Sequence, residues 1–108
     1  MAFKSKVTAA LSTSGTPTTV SNTVDAATTH TVIGLSLANV SVAPVTASVK
    51  LNKSGGASAF LVKDAVVPIG SALVVVGGDQ KLVLEAGDSL TAYGSSASAL
   101  DAVLSYLV

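Results

Sequence analysis

The chain contains no cysteine, so no disulfide braces it and no thiolate serves as nucleophile or metal ligand. It contains no arginine either; six lysines alone balance six aspartates and glutamates, for a net charge of zero. Without the bidentate guanidinium fork, and without excess positive charge, the composition argues against nucleic acid as a partner. Tryptophan is absent, and Tyr93 and Tyr106 are too few to build a platform for stacking sugars or bases. Interior or interface packing is the expected use of both tyrosines. No apolar run approaches the roughly 20 residues that span a bilayer, so no membrane association is expected. Met1-Ala2-Phe3-Lys4-Ser5-Lys6 begins with charge, but a Thr/Ser tract follows where a secretory leader is apolar. A soluble chain made inside a cell is the expectation. Charge is scarce overall, at 11% of residues against 49% hydrophobic, mostly Ala and Val. A surface so poorly charged has little protection against association, which points to a subunit that works in contact with others.

What is present is a two-residue beat. At 108 residues the chain is expected to be a single domain, 1–108, with a modest core. Phe3, Val7 and Leu11 are placed to share a face. Residues 12–19 are Ser/Thr-rich with Gly15 and Pro17, a loop or edge composition. Val20 and Val24 pin a short strand before a turn at Asp25-Ala26-Ala27. Residues 31–42 read as a strand in which Ile33, Leu35 and Leu37 form an apolar face. Pro44 then breaks the chain. Val45, Ala47, Val49 and Leu51 alternate with Thr46, Ser48, Lys50 and Asn52, the cleanest period-two run in the chain. Asn52-Lys53-Ser54-Gly55-Gly56 turns it into a third strand, 58–63, with Phe60 and Val62 on one face. Residues 31–63 thus read as a three-stranded meander.

Residues 63–90 are the most regular stretch. Short apolar runs are cut by Pro68-Ile69-Gly70, Gly77-Gly78-Asp79 and Ala86-Gly87-Asp88, the spacing of short strands and tight turns. Leu73 to Val76 is apolar on both faces, and is expected either to be central and covered or to lie against another subunit. Residues 89–93 form a further strand, and 94–98 a turn. In 100–108, Leu100, Ala102, Leu104 and Tyr106 alternate as a strand does, while Leu100, Val103, Leu104 and Leu107 also fit a helix behind a Ser98 cap. The strand is favoured because it closes a β fold. About eight short strands at such spacings give an all-β fold, an antiparallel β-sandwich of jelly-roll or Greek-key type.

Candidate chemistry is thin. His30 has no second His or Cys to complete a metal set, and no Gly-x-Ser-x-Gly elbow accompanies it; a solvated or hydrogen-bonded residue at a strand end is expected. Asp79, Glu85 and Asp88 could converge on Ca²⁺, but lack EF-hand spacing, and bonding of turn backbone is the better reading. Gly55-Gly56 and Gly77-Gly78 lack the Lys-Ser/Thr context of a phosphate loop. Asn39-Val40-Ser41 and Asn52-Lys53-Ser54 match the glycosylation pattern by chance. No catalytic residue, metal ligand or cofactor is nominated. The candidate interface is Leu73, Val74, Val75, Val76, Leu104, Tyr106 and Val108, because Ser/Thr/Ala-lined faces and poorly blunted edges favour contact between subunits.

Several segments resemble small structural proteins of tailed bacteriophages, including cyanophages. They are the opening Met1-Ala2-Phe3-Lys4-Ser5-Lys6 with its Thr/Ser tract, Thr31-Val32-Ile33-Gly34-Leu35-Ser36-Leu37-Ala38-Asn39, the run Leu61-Val62-Lys63-Asp64-Ala65-Val66-Val67-Pro68-Ile69-Gly70-Ser71-Ala72-Leu73, and Gly77-Gly78-Asp79-Gln80-Lys81-Leu82-Val83-Leu84-Glu85-Ala86-Gly87-Asp88. The Ser-rich turn before Asp101-Ala102-Val103-Leu104-Ser105 is similar too. The resemblance implies a β-sandwich in a virion that acts without catalysis. It would be a capsid decoration or cement subunit, a homo-oligomer such as a trimer, docked on other virion proteins such as the major capsid protein. A neck, tail, baseplate or fibre subunit, with receptor or glycan binding, is the alternative. A small hydrolase using His30 is the reading from a different class.

Overall fold

Alternating apolar and small polar side chains suit a half-buried pleated sheet, and β-branched Val and Thr, frequent throughout, lose rotamer freedom in helices. The computed structural model describes residues 2–108, and among them it contains strands and turns but no helix. The strands are β1 (Phe3–Thr8), β2 (Thr18–Thr19), β3 (Thr29–Asn39), β4 (Val45–Asn52), β5 (Ser58–Val67), β6 (Ala72–Val76), β7 (Leu82–Glu85), β8 (Ser89–Gly94) and β9 (Leu100–Leu107).

Their pairing is nested. β1 pairs with β9, β2 with β8, β3 with β6 and β7, and β4 with β5, all antiparallel. The chain is therefore one long ribbon folded back at the β4–β5 hairpin. Rolling that ribbon brings β9 against β3 and β8 against β4. The result is a front sheet ordered β1-β9-β3-β6, with β7 continuing the β6 edge along β3, and a back sheet ordered β2-β8-β4-β5. This is the strand order of a jelly roll, with one strand split by the turn in which Gln80 N–H donates to Gly77 O. The meander expected over residues 31–63 is not formed. β3 and β4 lie in different sheets, because packing their apolar faces against each other buries both. Asn39 holds the crossing between them: its Nδ2 donates to Ala43 O and Val67 O, and its Oδ1 accepts from Ser41 N–H.

The core is aliphatic. Leu11, Leu35, Leu37, Leu84, Leu90, Leu100 and Leu104 are fully buried with Val20, Val32, Val49, Val67 and Val76. Each such side chain contributes about 1.5–3 kcal/mol of transfer free energy. Residues 100–107 form a strand, with Leu100, Ala102, Leu104 and Tyr106 all inward and buried. Ser98 takes a positive φ of 62° in the turn before it, not a helix cap.

Two departures from the expected faces have one cause. The β3–β9 register jumps from Val32↔Tyr106 to Gly34↔Ser105, which leaves Ile33 as an extra residue. Such a bulge exchanges the faces of everything beyond it. His30 and Val32 point inward before it, Leu35, Leu37 and Asn39 after it, and Ile33 is only half-buried. In β5 the register likewise passes from Lys50↔Phe60 to Val49↔Val62. Val62 packs on the core, whereas Phe60 lies outside, 5.3 Å beneath the ammonium groups of both Lys50 and Lys63. β6 is also not central. It forms an edge, with Val76 buried, Leu73 and Val75 against the core, and Val74 67% exposed.

The bulge makes a measurable distinction between neighbours on β3. Leu37→Ala is expected to lower unfolding free energy in urea by about 2–5 kcal/mol, and Ile33→Ala by less than half of that. Equal losses would place Ile33 in the core and contradict the bulge.

Candidate functional site

A sandwich has two inner faces that make its core and two outer faces that need not be alike. In this chain both are mixed, but the apolar side chains are placed differently. On the outer face of the back sheet, Phe60 and Val66 are exposed among polar groups that bond to one another: Asn52 Nδ2 donates to Thr91 Oγ1 at 3.0 Å, and Asp64 N–H to Ser48 Oγ at 2.9 Å. The outer face of the front sheet carries apolar side chains in two rows, set among Ser, Thr and Gly. One row across its strands is Phe3, Leu107, Thr31 and Val83. Another is Val7, Val103, Ser36 and Val74. Between them runs a row of small residues, Ser5, Ser105 and Gly34. Phe3, Val7, Val74, Val83 and Val103 are 76%, 70%, 67%, 50% and 44% exposed. Single exposed apolar residues are ordinary; these five are aligned in two rows on one face.

β1 sharpens the point, because its two sides are reversed. Phe3 and Val7 face outward, while Lys4 and Lys6 stand opposite the buried Tyr106 and Leu104, on the side facing the other sheet. This side stays open to water because β2, the edge across from it, is two residues long. Lysine stems can lie along such a margin with their ammonium groups in solvent. Inward charge on an edge strand also discourages edge pairing. The charges on the outer face lie at its margins. Asp101 accepts from Ala10 N–H at 2.9 Å, and Glu85 is 3.5 Å from Lys53 Nζ.

The nominated interface residues separate on this geometry. Val74 is on the apolar outer face, and Val108 is 43% exposed at the end of the chain. Leu73 and Val75 pack on the core; Val76, Leu104 and Tyr106 are buried within it and offer nothing to a partner. Sequence reasoning missed Phe3, Val7, Val83 and Val103 as a surface. The alternation of Phe3 and Val7 with Lys4 and Lys6 was the available signal.

His30 is not a solvated strand end. It is buried and stacks on Tyr106, with ring centroids 5.0 Å apart, while the Tyr106 hydroxyl accepts from Asn22 Nδ2. No three His, Asp or Glu among the described residues stand close enough to hold a metal ion, and no cavity opens among them. Asp79 is exposed in its own turn. Asn39, with its amide donating to two carbonyls in a buried setting, is not presented as a glycosylation acceptor.

Asp88 takes the turn role its position suggests. Its carboxylate is buried and accepts from Ser54 N–H, Glu85 N–H and Lys53 Nζ, tying the β4–β5 turn to the β7–β8 turn. The fit is tight: Gly87, at φ 83°, lies where an added Cβ would meet Ser54 Cβ at 2.7 Å. The Lys53 hydrogen bond holds the Asp88 carboxyl below its ordinary pKa, helped by the two backbone donors and the charge of Lys53. The same bond raises Lys53.

Compared with protein-family models, with curated proteins and with solved structures, the chain matches none.

A depressed carboxyl pKa adds stability that is complete above the ordinary carboxyl value and is lost as pH falls through the lowered one. The contribution of Lys53 is complete below the ordinary lysine value and lost only at more alkaline pH. The urea midpoint is therefore expected to fall as the pH drops below the ordinary carboxyl range, and less steeply in Asp88→Asn. Parallel curves for the two proteins would show that ionisation of Asp88 is not linked to folding.

Proposed function

We propose that this chain is a non-enzymatic structural subunit of a bacteriophage virion, most concretely a decoration or cement protein of the head. The observation that carries the reading is the uncovered apolar face of the front sheet, with β1 turned so that Phe3 and Val7 extend it. An enzyme needs convergent polar groups held around a substrate, whereas this surface is broad, apolar and built on rigid strands. The resemblance of residues 1–6, 31–39, 61–73 and 77–88 to tailed-phage structural proteins supplies the setting. In that setting the chain, made in the host cytoplasm, self-associates and docks on other virion proteins such as the major capsid protein. Binding only to the assembled particle stabilises it by mass action.

One further feature favours a neck, tail, baseplate or fibre position as the second reading. The loops at one end of the sandwich, residues 9–17, 40–44, 68–71 and 95–99, contain no charged residue. They present Val40, Val42 and Ile69 at 56%, 93% and 57% exposure. Loops grouped at the end of a rigid sandwich are common sites of recognition, here for a receptor, a glycan or a neighbouring virion protein.

Labelling of intact particles with an antibody to this chain separates these positions. Signal spread over the head is the expected result. Signal confined to one vertex or to the tail moves the protein to the second reading, and purified particles without signal refute both.

A further inference from the structure

We propose that the outer face of the front sheet is where a second copy of this chain docks, face to face about a two-fold axis. The inference rests on the reading of the chain as an associating subunit, and adds the occupant and the geometry.

Area is the first argument. The face is four strands wide, about 19 Å at ~4.8 Å per strand, and β9 contributes eight residues of length, about 27 Å. One copy thus offers about 500 Å² before side-chain relief is counted, and two copies bury about 1,000 Å². That is at the threshold of about 1,000 Å² and short of the roughly 1,200 Å² at which standard interfaces begin; side-chain relief adds to it.

Shape is the second. The Phe3 and Val7 rows lie four residues apart along β1, about 14 Å, with the trough of Ser5, Ser105 and Gly34 between them. A ridge of one copy fits the trough of the other, as facing sheets interdigitate at a spacing of about 10 Å. Such a surface is complementary to itself, the requirement for an isologous contact.

Charge is the third. The two acids at the margins are already held within the chain, Asp101 by Ala10 N–H and Glu85 by Lys53. Docking then brings no unpaired charge between the apolar rows. A partner chosen by electrostatic complementarity would find little here to read.

Sedimentation velocity on the full chain, across micromolar to submillimolar concentrations, tests the proposal. The wild type is expected to sediment as a dimer, and Val103→Lys to weaken dimerisation at least about 100-fold by burying an unpaired charge. Val66→Lys, on the other sheet and 65% exposed, is expected to leave it unchanged. Urea midpoints of both variants check that the fold survives. Should Val103→Lys not fold, Val7→Ser on the β1 edge serves as a milder substitution. A monomeric wild type, a trimer with heterologous contacts, or a dimer lost in Val66→Lys but kept in Val103→Lys each overturns the proposal. A monomer that still labels particle heads refutes the second-copy contact alone. A dimer through this face on a protein absent from particles refutes the virion reading alone.

Discussion

The ladder between β3 and β9 joins the first half of the chain to its last strand, and the other strands are placed around it. Eight register pairs run from Thr31↔Leu107 to Asn39↔Leu100. β1 is carried on the far side of β9, and β6 and β7 on the far side of β3. The inward side of the ladder supplies Val32, Leu35, Leu37, Leu100, Ala102, Leu104 and Tyr106 to the core. Its outward side supplies Thr31, Ser36, Val103, Ser105 and Leu107 to the apolar face. One ladder thus fills the core and builds the outer face, and the bulge at Ile33 exchanges which residues of β3 face each way.

The constraint on such a fold is that each strand has two sides and the molecule has one core. β4 and β8 meet it in the ordinary way, with Ala47, Val49, Leu90 and Ala92 inside and Lys50, Asn52 and Thr91 outside. β1 does not, and neither do the outward valines of β6, β7 and β9. These side chains add nothing to the core. Burial against a neighbour recovers roughly 25 cal/mol per Å² of apolar area, set against the entropy of association. The charged groups are distributed accordingly. Lys53, Glu85 and Asp88 knot two turns at one end, while the loops at the opposite end contain no charge.

Much of this was legible in the sequence because its causes are local. The turns at Pro68-Ile69-Gly70, Gly77-Gly78-Asp79 and Ala86-Gly87-Asp88 all form, and the alternation of residues 45–52 is β4. The β-sandwich class and the strand at 100–107 follow from the same period. The remainder is set by distant partners. No local signal tells that β3 and β4 belong to different sheets, or that Ile33 is a bulge, since both depend on how β9 meets β3. A period-two run also does not say which of its faces is inside. Tyr106 and Leu104 were nominated for an interface and are core residues; Phe3 and Val7, beside lysines at the start of the chain, are surface.

The most direct measurement of the central claim is an isotope-filtered nuclear Overhauser experiment on a mixture of methyl-labelled and unlabelled chains. Contacts between copies are predicted at Val7, Val74, Val83 and Val103, with none at the inward Val32 and Val49. Cross-chain contacts confined to Val40, Val42 and Ile69, or no cross-chain contacts in an oligomer of any size, would contradict the account.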